Sequence, residues 1–170
     1  MQKDFSYPLL VADLPNVENK YSLCATEENL EYIKEVLGVE KVRSFSTEIK
    51  VKLSHKSGIM KVRGTVDAEL DLESVISLKP FTKKYHQNFE VDYDINATQE
   101  NLDGAKFGLD DKVYDTIQNG KIDLVDIAIE HLALGIEDYP RKDGETFSFK
   151  SEFTEEEKPN PFAVLSALKK

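Results

Sequence analysis

The chain has 170 residues, 40% of them hydrophobic and 32% charged, and its 22 basic and 32 acidic side chains leave a formal net charge of −10. That length fits one domain, able to bury roughly 70% of its unfolded surface without disulfides or metal, and no apolar run approaches the ~20 residues of a membrane span. So acidic a chain repels a bare phosphate backbone unless its cations gather on one face, and its field favours a basic protein partner over an anionic membrane; the single cysteine, Cys24, excludes an internal disulfide and a cysteine-rich zinc site and points to a reducing compartment.

Residues 1–20 carry Pro8 and Pro15 without a clear period and read as an extended arm with one apolar patch, Pro8-Leu9-Leu10-Val11. Thr26 then offers a helix cap, with Glu27 and Glu28 in the first turn, where the helix dipole favours anions. Leu30, Ile33 and Leu37 share one helical face and Gly38 sits where a helix ends, so the spacing predicts a short amphipathic helix, Glu27–Leu37.

The period next changes to two. Phe45, Ile49, Val51 and Leu53 share one face, with Glu48, Lys50 and Lys52 on the other; Lys56-Ser57-Gly58 is a hairpin turn. The return strand alternates Val62, Gly64, Val66, Ala68, Leu70 and Leu72 with Arg63, Asp67, Glu69 and Asp71. Residues 74–78 read as a further strand or a bent continuation of the same one, and 79–82 as a turn; Tyr85, Phe89, Val91, Tyr93 and Ile95 then mark one face of the next strand. The expected block is an antiparallel meander with one wet and one packed face, which could curl into a partly closed barrel.

Residues 94–121 are polar and acidic and read as a long loop, with a short helical turn near 110–117. Asp123 caps a second, strongly apolar helix, Asp123–Glu137, whose polar strip is only Asp126, Glu130 and Glu137; this long helix is expected to be the main packing partner of the sheet, and Tyr139-Pro140 stops it. Residues 150–159 read as a Glu-rich solvated linker. Asn160 caps and Pro161 opens a terminal amphipathic helix that runs to Lys170. The fold class expected is therefore α+β, with one domain over 1–149, a linker over 150–159 and a helix over 160–170.

Chemistry is sparse. His55, His86 and His131 have no second His or Cys at ligand spacing. Residues 92–103 imitate a calcium loop, but Ala97 stands where the sharp turn needs Gly and the shorter Asp103 closes it, so a solvated acidic loop is expected. No phosphate-binding loop, dinucleotide fingerprint or nucleophile elbow is present. The expectation is no catalytic residue, no cofactor and no metal. Candidate basic contacts are Lys79, Lys83, Lys84 and His86, interleaved with Phe81 and Tyr85, then Arg141-Lys142, then Lys169-Lys170; the first cluster could touch RNA, or consist of solvated turn lysines.

Lys158-Pro159-Asn160-Pro161-Phe162-Ala163-Val164-Leu165, with Leu168-Lys169, closely resembles the C-terminal signature of the YceD-like family, bacterial and plastid proteins named for accumulation of large-subunit ribosomal RNA. Val62-Arg63-Gly64-Thr65-Val66 is similar to that family's glycine-bearing strand. Ile122-Asp123-Leu124, with Glu130 and Leu132-Ala133-Leu134, is similar to its helix, and Tyr139-Pro140-Arg141-Lys142-Asp143-Gly144 to the segment that follows. Many relatives carry cysteines just before the turn that here reads Leu78-Lys79-Pro80. This chain has Ser74 and Ser77 in those places, so no metal or redox role carries over and the position is expected to be structural.

The resemblance implies a cytoplasmic factor in large-subunit assembly or in ribosomal RNA processing and stability, with no catalytic residues to transfer. Two readings follow. In the first, a non-catalytic factor holds a basic ribosomal protein of the large subunit, or a pre-ribosomal particle, against its acidic surface. Its terminal helix presents Asn160, Pro161, Phe162, Val164, Leu165 and Leu168 to a partner groove, or docks back on its own domain. The alternative is direct RNA binding through Lys79, Lys83, Lys84, Arg141, Lys169 and Lys170. The sequence leaves oligomeric state open.

Overall fold

The computed structural model describes residues 5–97 and 114–147. Over these the chain forms β1 (Pro8–Leu10), β2 (Asn19–Cys24), α1 (Glu27–Leu37), β3 (Lys41–Ser54), β4 (Ile59–Glu73), β5 (Pro80–Asp94), β6 (Asp115–Thr116), β7 (Lys121–Asp123) and α2 (Leu124–Gly135). The class is α+β. β2 to β6 make one open five-stranded sheet in sequence order, and β1 pairs with β7 in a separate two-stranded ribbon.

The long strands arise where apolar and polar residues alternate. In β3 the inward set is Val42, Phe45, Thr47, Ile49, Val51 and Leu53; in β4 it is Met60, Val62, Val66, Ala68, Leu70 and Leu72, all buried. Their outward neighbours are charged or polar, so one face seeks a cover and the other does not. The cover comes from α2, through buried Leu124, Val125, Ala128 and Leu132, and from α1 through Ile33. Gly64 is an inward position without a side chain. A Cβ there would lie 2.6 Å from Phe89 Cζ and 2.7 Å from the Glu48 carbonyl, and Phe89 instead stacks on His131 at 4.8 Å between ring centroids.

Asp123 ties the molecule's start to its second half. Its Oδ1 accepts from the N–H groups of Val125 (3.0 Å) and Asp126 (3.4 Å), capping α2, and also from Tyr7 N–H (3.1 Å). Ser6 Oγ donates to Oδ2. At α1, Thr26 N–H donates to Asn29 Oδ1 (3.0 Å), and Gly38 takes φ 66 as the left-handed cap.

Four expectations are corrected. The sheet is mixed: β5 and β6 run parallel, Tyr93 opposite Asp115 and Asp94 opposite Thr116, because a long connection returns the chain in its original direction. It is open, with β2 and β6 as its edges, so no barrel forms. The second helix is not long: it has 12 residues against 11 in α1, and Glu137 lies beyond its end. Residues 75–77 are a turn, with Leu78 at φ 53, and the following strand already begins at Pro80. β2 was not expected at all; of the supposed loop, residues 98–113, with the first half of the expected helical turn near 110–117, lie outside the described residues, and the rest supplies β6, a 3-10 turn at Gln118–Gly120 and the start of β7. The acidic linker and terminal helix lie outside the described residues.

Candidate functional site

The outward face of the sheet is polar, and its charge is sorted by register. Lys20 faces Lys50, Lys50 faces Arg63, and Arg63 faces Glu90. One step nearer the β3–β4 hairpin, Lys52 faces Lys61, which faces Asp92. Five cations thus occupy one end of the face. Directly opposed residues have Cβ atoms about 5 Å apart, and like charges there repel. Arg63 Nη2 reaches Glu90 Oε1 at 2.7 Å, and Lys61 Nζ lies 3.8 Å from Asp92 Oδ2. Lys20, Lys50 and Lys52 are exposed and make no ion pair among the described residues.

The other end of the same face is balanced. Arg43 Nε meets Asp71 at 2.7 Å, His86 Nδ1 meets Asp67 at 2.7 Å, and Lys84 stands opposite Glu69. Between the ends a groove of about 760 Å³ crosses the strands. One wall is the Lys20–Lys50–Arg63–Glu90 row and the other is Ser22, Glu48, Thr65 and Asn88, with Glu18 at the margin. Its floor lies along Tyr21, Ile49, Gly64 and Phe89, of which Ile49 and Phe89 are buried, Tyr21 is half-buried and Gly64 has no side chain.

A second charged surface lies on α1. Glu27, Glu31 and Glu35 fall one turn apart, with Glu28 beside them, and all four are exposed. Lys34 Nζ reaches Glu31 at 3.4 Å and is the only basic residue of that helix. Ile33, fully buried, sets the rotation that turns these carboxylates outward.

The structure separates the basic residues that the sequence placed together. Lys84 points outward, but Lys83 shares the inward face, opposite Leu70, and its ammonium pairs with Glu137. Tyr85 Oη donates to the same carboxylate at 2.7 Å. The hydrogen bond from Lys83 holds Glu137 below the usual carboxylate range, whereas burial, then the bond to Glu137, pushes Tyr85 well up. Lys79 and Arg141 are exposed, and Lys142 borders a smaller pocket of about 310 Å³ with Phe81 and Thr82. Lys169 and Lys170, and the proposed partner contacts Asn160, Pro161, Phe162, Val164, Leu165 and Leu168, lie outside the described residues.

Ser74 and Ser77 form a clasp. Ser74, fully buried, accepts from Ile76 N–H (3.2 Å) and Ser77 N–H (3.3 Å) and donates to Glu145; Ser77 Oγ donates to the other Glu145 oxygen at 2.6 Å. These bonds hold Glu145 below the usual carboxylate range and dock the segment after α2 on the β4–β5 turn, helped by Val75 N–H to the Pro140 carbonyl at 2.9 Å. His55 touches the Leu14 carbonyl at 3.2 Å. Among the described residues no group of three His, Cys, Asp or Glu could hold a metal ion, and no helix is long and apolar enough to cross a membrane.

The cation rows were missed because they are not a run. Their signal was present: Lys50 and Lys52, then Lys61 and Arg63, take alternate positions on either side of the hairpin turn, and folding that hairpin sets them face to face.

The family described as "Large ribosomal RNA subunit accumulation protein YceD" matches residues 62–169, well over half of the chain. No curated protein and no solved structure matches.

Proposed function

This chain belongs to the YceD family of large ribosomal RNA subunit accumulation proteins, and from that membership we propose that it is a non-catalytic cytoplasmic factor that supports large-subunit assembly by holding a basic ribosomal protein. The observation that carries this reading is the α1 ridge, where Glu27, Glu28, Glu31 and Glu35 present one anionic stripe on a helix seated by Ile33. Ribosomal proteins are strongly basic, and such a stripe speeds their encounter and suppresses wrong partners more than it adds affinity. The terminal residues Asn160 to Leu168 would supply an apolar part of the partner contact.

Affinity purification of the whole chain from cells, with and without ribonuclease, tests it. A large-subunit protein that remains bound after ribonuclease, and is lost when Glu27, Glu28, Glu31 and Glu35 are all changed to Lys, supports the reading. Association that ribonuclease abolishes, or that the four-fold reversal leaves intact, overturns it. A second reading, direct contact with ribosomal RNA, is favoured by one observation: the five cations gathered on the open face of the sheet.

A further inference from the structure

We infer that the cationic end of the sheet's outward face, Lys20, Lys50, Lys52, Lys61 and Arg63, is a docking surface for the phosphate backbone of a single RNA strand. The inference rests on the second reading of function above and gives it a location that the turn lysines do not.

The argument begins with cost. Lys20, Lys50 and Arg63 stand directly opposite one another on three adjacent strands, and Lys52 stands opposite Lys61. Like charges so placed destabilise a sheet. In a chain with ten more acids than bases, alternating signs would have been available at every one of these positions. Glu90 and Asp92 answer Arg63 and Lys61, but no acid among the described residues pairs with Lys20, Lys50 or Lys52, and a polyanion would.

The shape selects among polyanions. Outward residues two apart on one strand are about 6.7 Å apart, which is the distance between the two cation rows and between the groove's walls. A groove of about 760 Å³ with its walls one such spacing apart suits a single extended strand. The Phe and Tyr residues of β2 to β5 take inward register positions, Tyr21 and Phe89 among those lining the groove, so the outward contacts it offers a strand are charged and polar and the contact is to phosphate. Glu48 in the facing wall, Glu90 at the end of the cation row and Glu18 at the margin confine the strand to the side of Lys20 and Lys50 rather than the whole face. An acidic protein would meet the same cations, but nothing in the wall of Ser22, Thr65 and Asn88 offers the apolar anchor that protein interfaces use.

Fluorescence anisotropy of a labelled oligouridine, titrated with the full chain over a range of salt, reads this directly. The expected result is binding whose logarithm falls linearly with the logarithm of salt, with a slope of about 0.7 for each phosphate engaged. Lys50→Glu is expected to weaken it by about tenfold or more and to lower the slope, with an unchanged or higher Tm. The higher Tm is the readout that misfolding would not give, because the new carboxylate sits between Lys20 and Arg63. Lys79→Glu, at the β4–β5 turn, should leave binding as it is. If the wild-type chain does not retain oligouridine at low salt, the inference and the RNA reading both fail, while ribonuclease-resistant protein association is judged separately. If RNA binds but Lys50→Glu binds equally well, the surface is wrong and the reading stands. If polyglutamate competes as well as unlabelled oligouridine, the face is a general anion surface and the inference is overturned.

Discussion

The inward and outward residues of β3, β4 and β5 alternate along the same strands, yet they meet different constraints. Inward side chains such as Ile49, Val62 and Leu70 are buried to within 1% and packed against two helices. Outward ones such as Lys50, Arg63 and Glu90 are exposed, and their partners are set by register alone. Within the outward face the contrast sharpens. Toward the β4–β5 turn Arg43 and His86 each meet an acid; near the β3–β4 hairpin Lys20, Lys50 and Lys52 make no ion pair among the described residues. Packing dictates one face, so residues there report on the fold. The other face is packed far less, Asp92 being its one buried charge among the described residues, so an unbalanced charge at its exposed positions reports on what it meets.

The largest effect should come from the inward face. Leu70→Ala removes a fully buried side chain and should cost about 2–5 kcal/mol in denaturant unfolding; a loss below ~1 kcal/mol would mean that the face is not packed as described.

Gly64→Ala comes next, at about 1–3 kcal/mol. The added Cβ meets a ring edge that can shift and a backbone carbonyl that cannot. Phe89→Leu should recover part of the loss in a double-mutant cycle, and strict additivity of the two would deny the contact.

The third test is pH. Lys83 holds Glu137 below its ordinary value of 4.5, Arg43 and Thr82 hold Asp71 below 3.8, and Ser74 and Ser77 hold Glu145 below 4.5. These carboxylates bind protons more readily when unfolded, so their contribution is complete above those values and is lost as pH falls through the depressed ones. Melting temperature should drop on acidification in that window. Glu137→Gln should flatten part of the drop and cost at most ~1 kcal/mol at neutral pH, because the Lys83 pair is partly exposed and screened by water. An acid limb identical in the variant would remove Glu137 from the account.

The smallest effect on stability, a gain within about 0.5 kcal/mol, is expected for Lys50→Glu on the outward face. A clear loss would show that Lys50 has a structural partner, and the contrast between the faces would break at that point.

Much of the fold was legible in particular residues. Thr26, the Leu30–Ile33–Leu37 spacing and Gly38 bounded α1 correctly, because capping and amphipathic burial are local effects. The alternation from Phe45 to Leu72 marked β3, β4 and the turn between them. What was illegible depended on distant partners. β2 has too short and too mixed a pattern to stand alone and becomes a strand only by pairing with β3. β6 and β7 are two and three residues long and exist through β5 and β1. The basic cluster at the β4–β5 turn failed as a unit because adjacent strand residues point to opposite faces, which sent Lys83 to Glu137 and Lys84 to the side of Glu69.

By itself the sequence determined the class of fold, the two helices, the hairpin and the family signature, since caps, periodicity and motif are written within a few consecutive residues. Only the tertiary structure decided the parallel edge strand, the clasp of Glu145 on Ser74 and Ser77, and which cations share a surface. Those depend on positions tens of residues apart being brought within a few ångströms by strand register, and no local pattern records that.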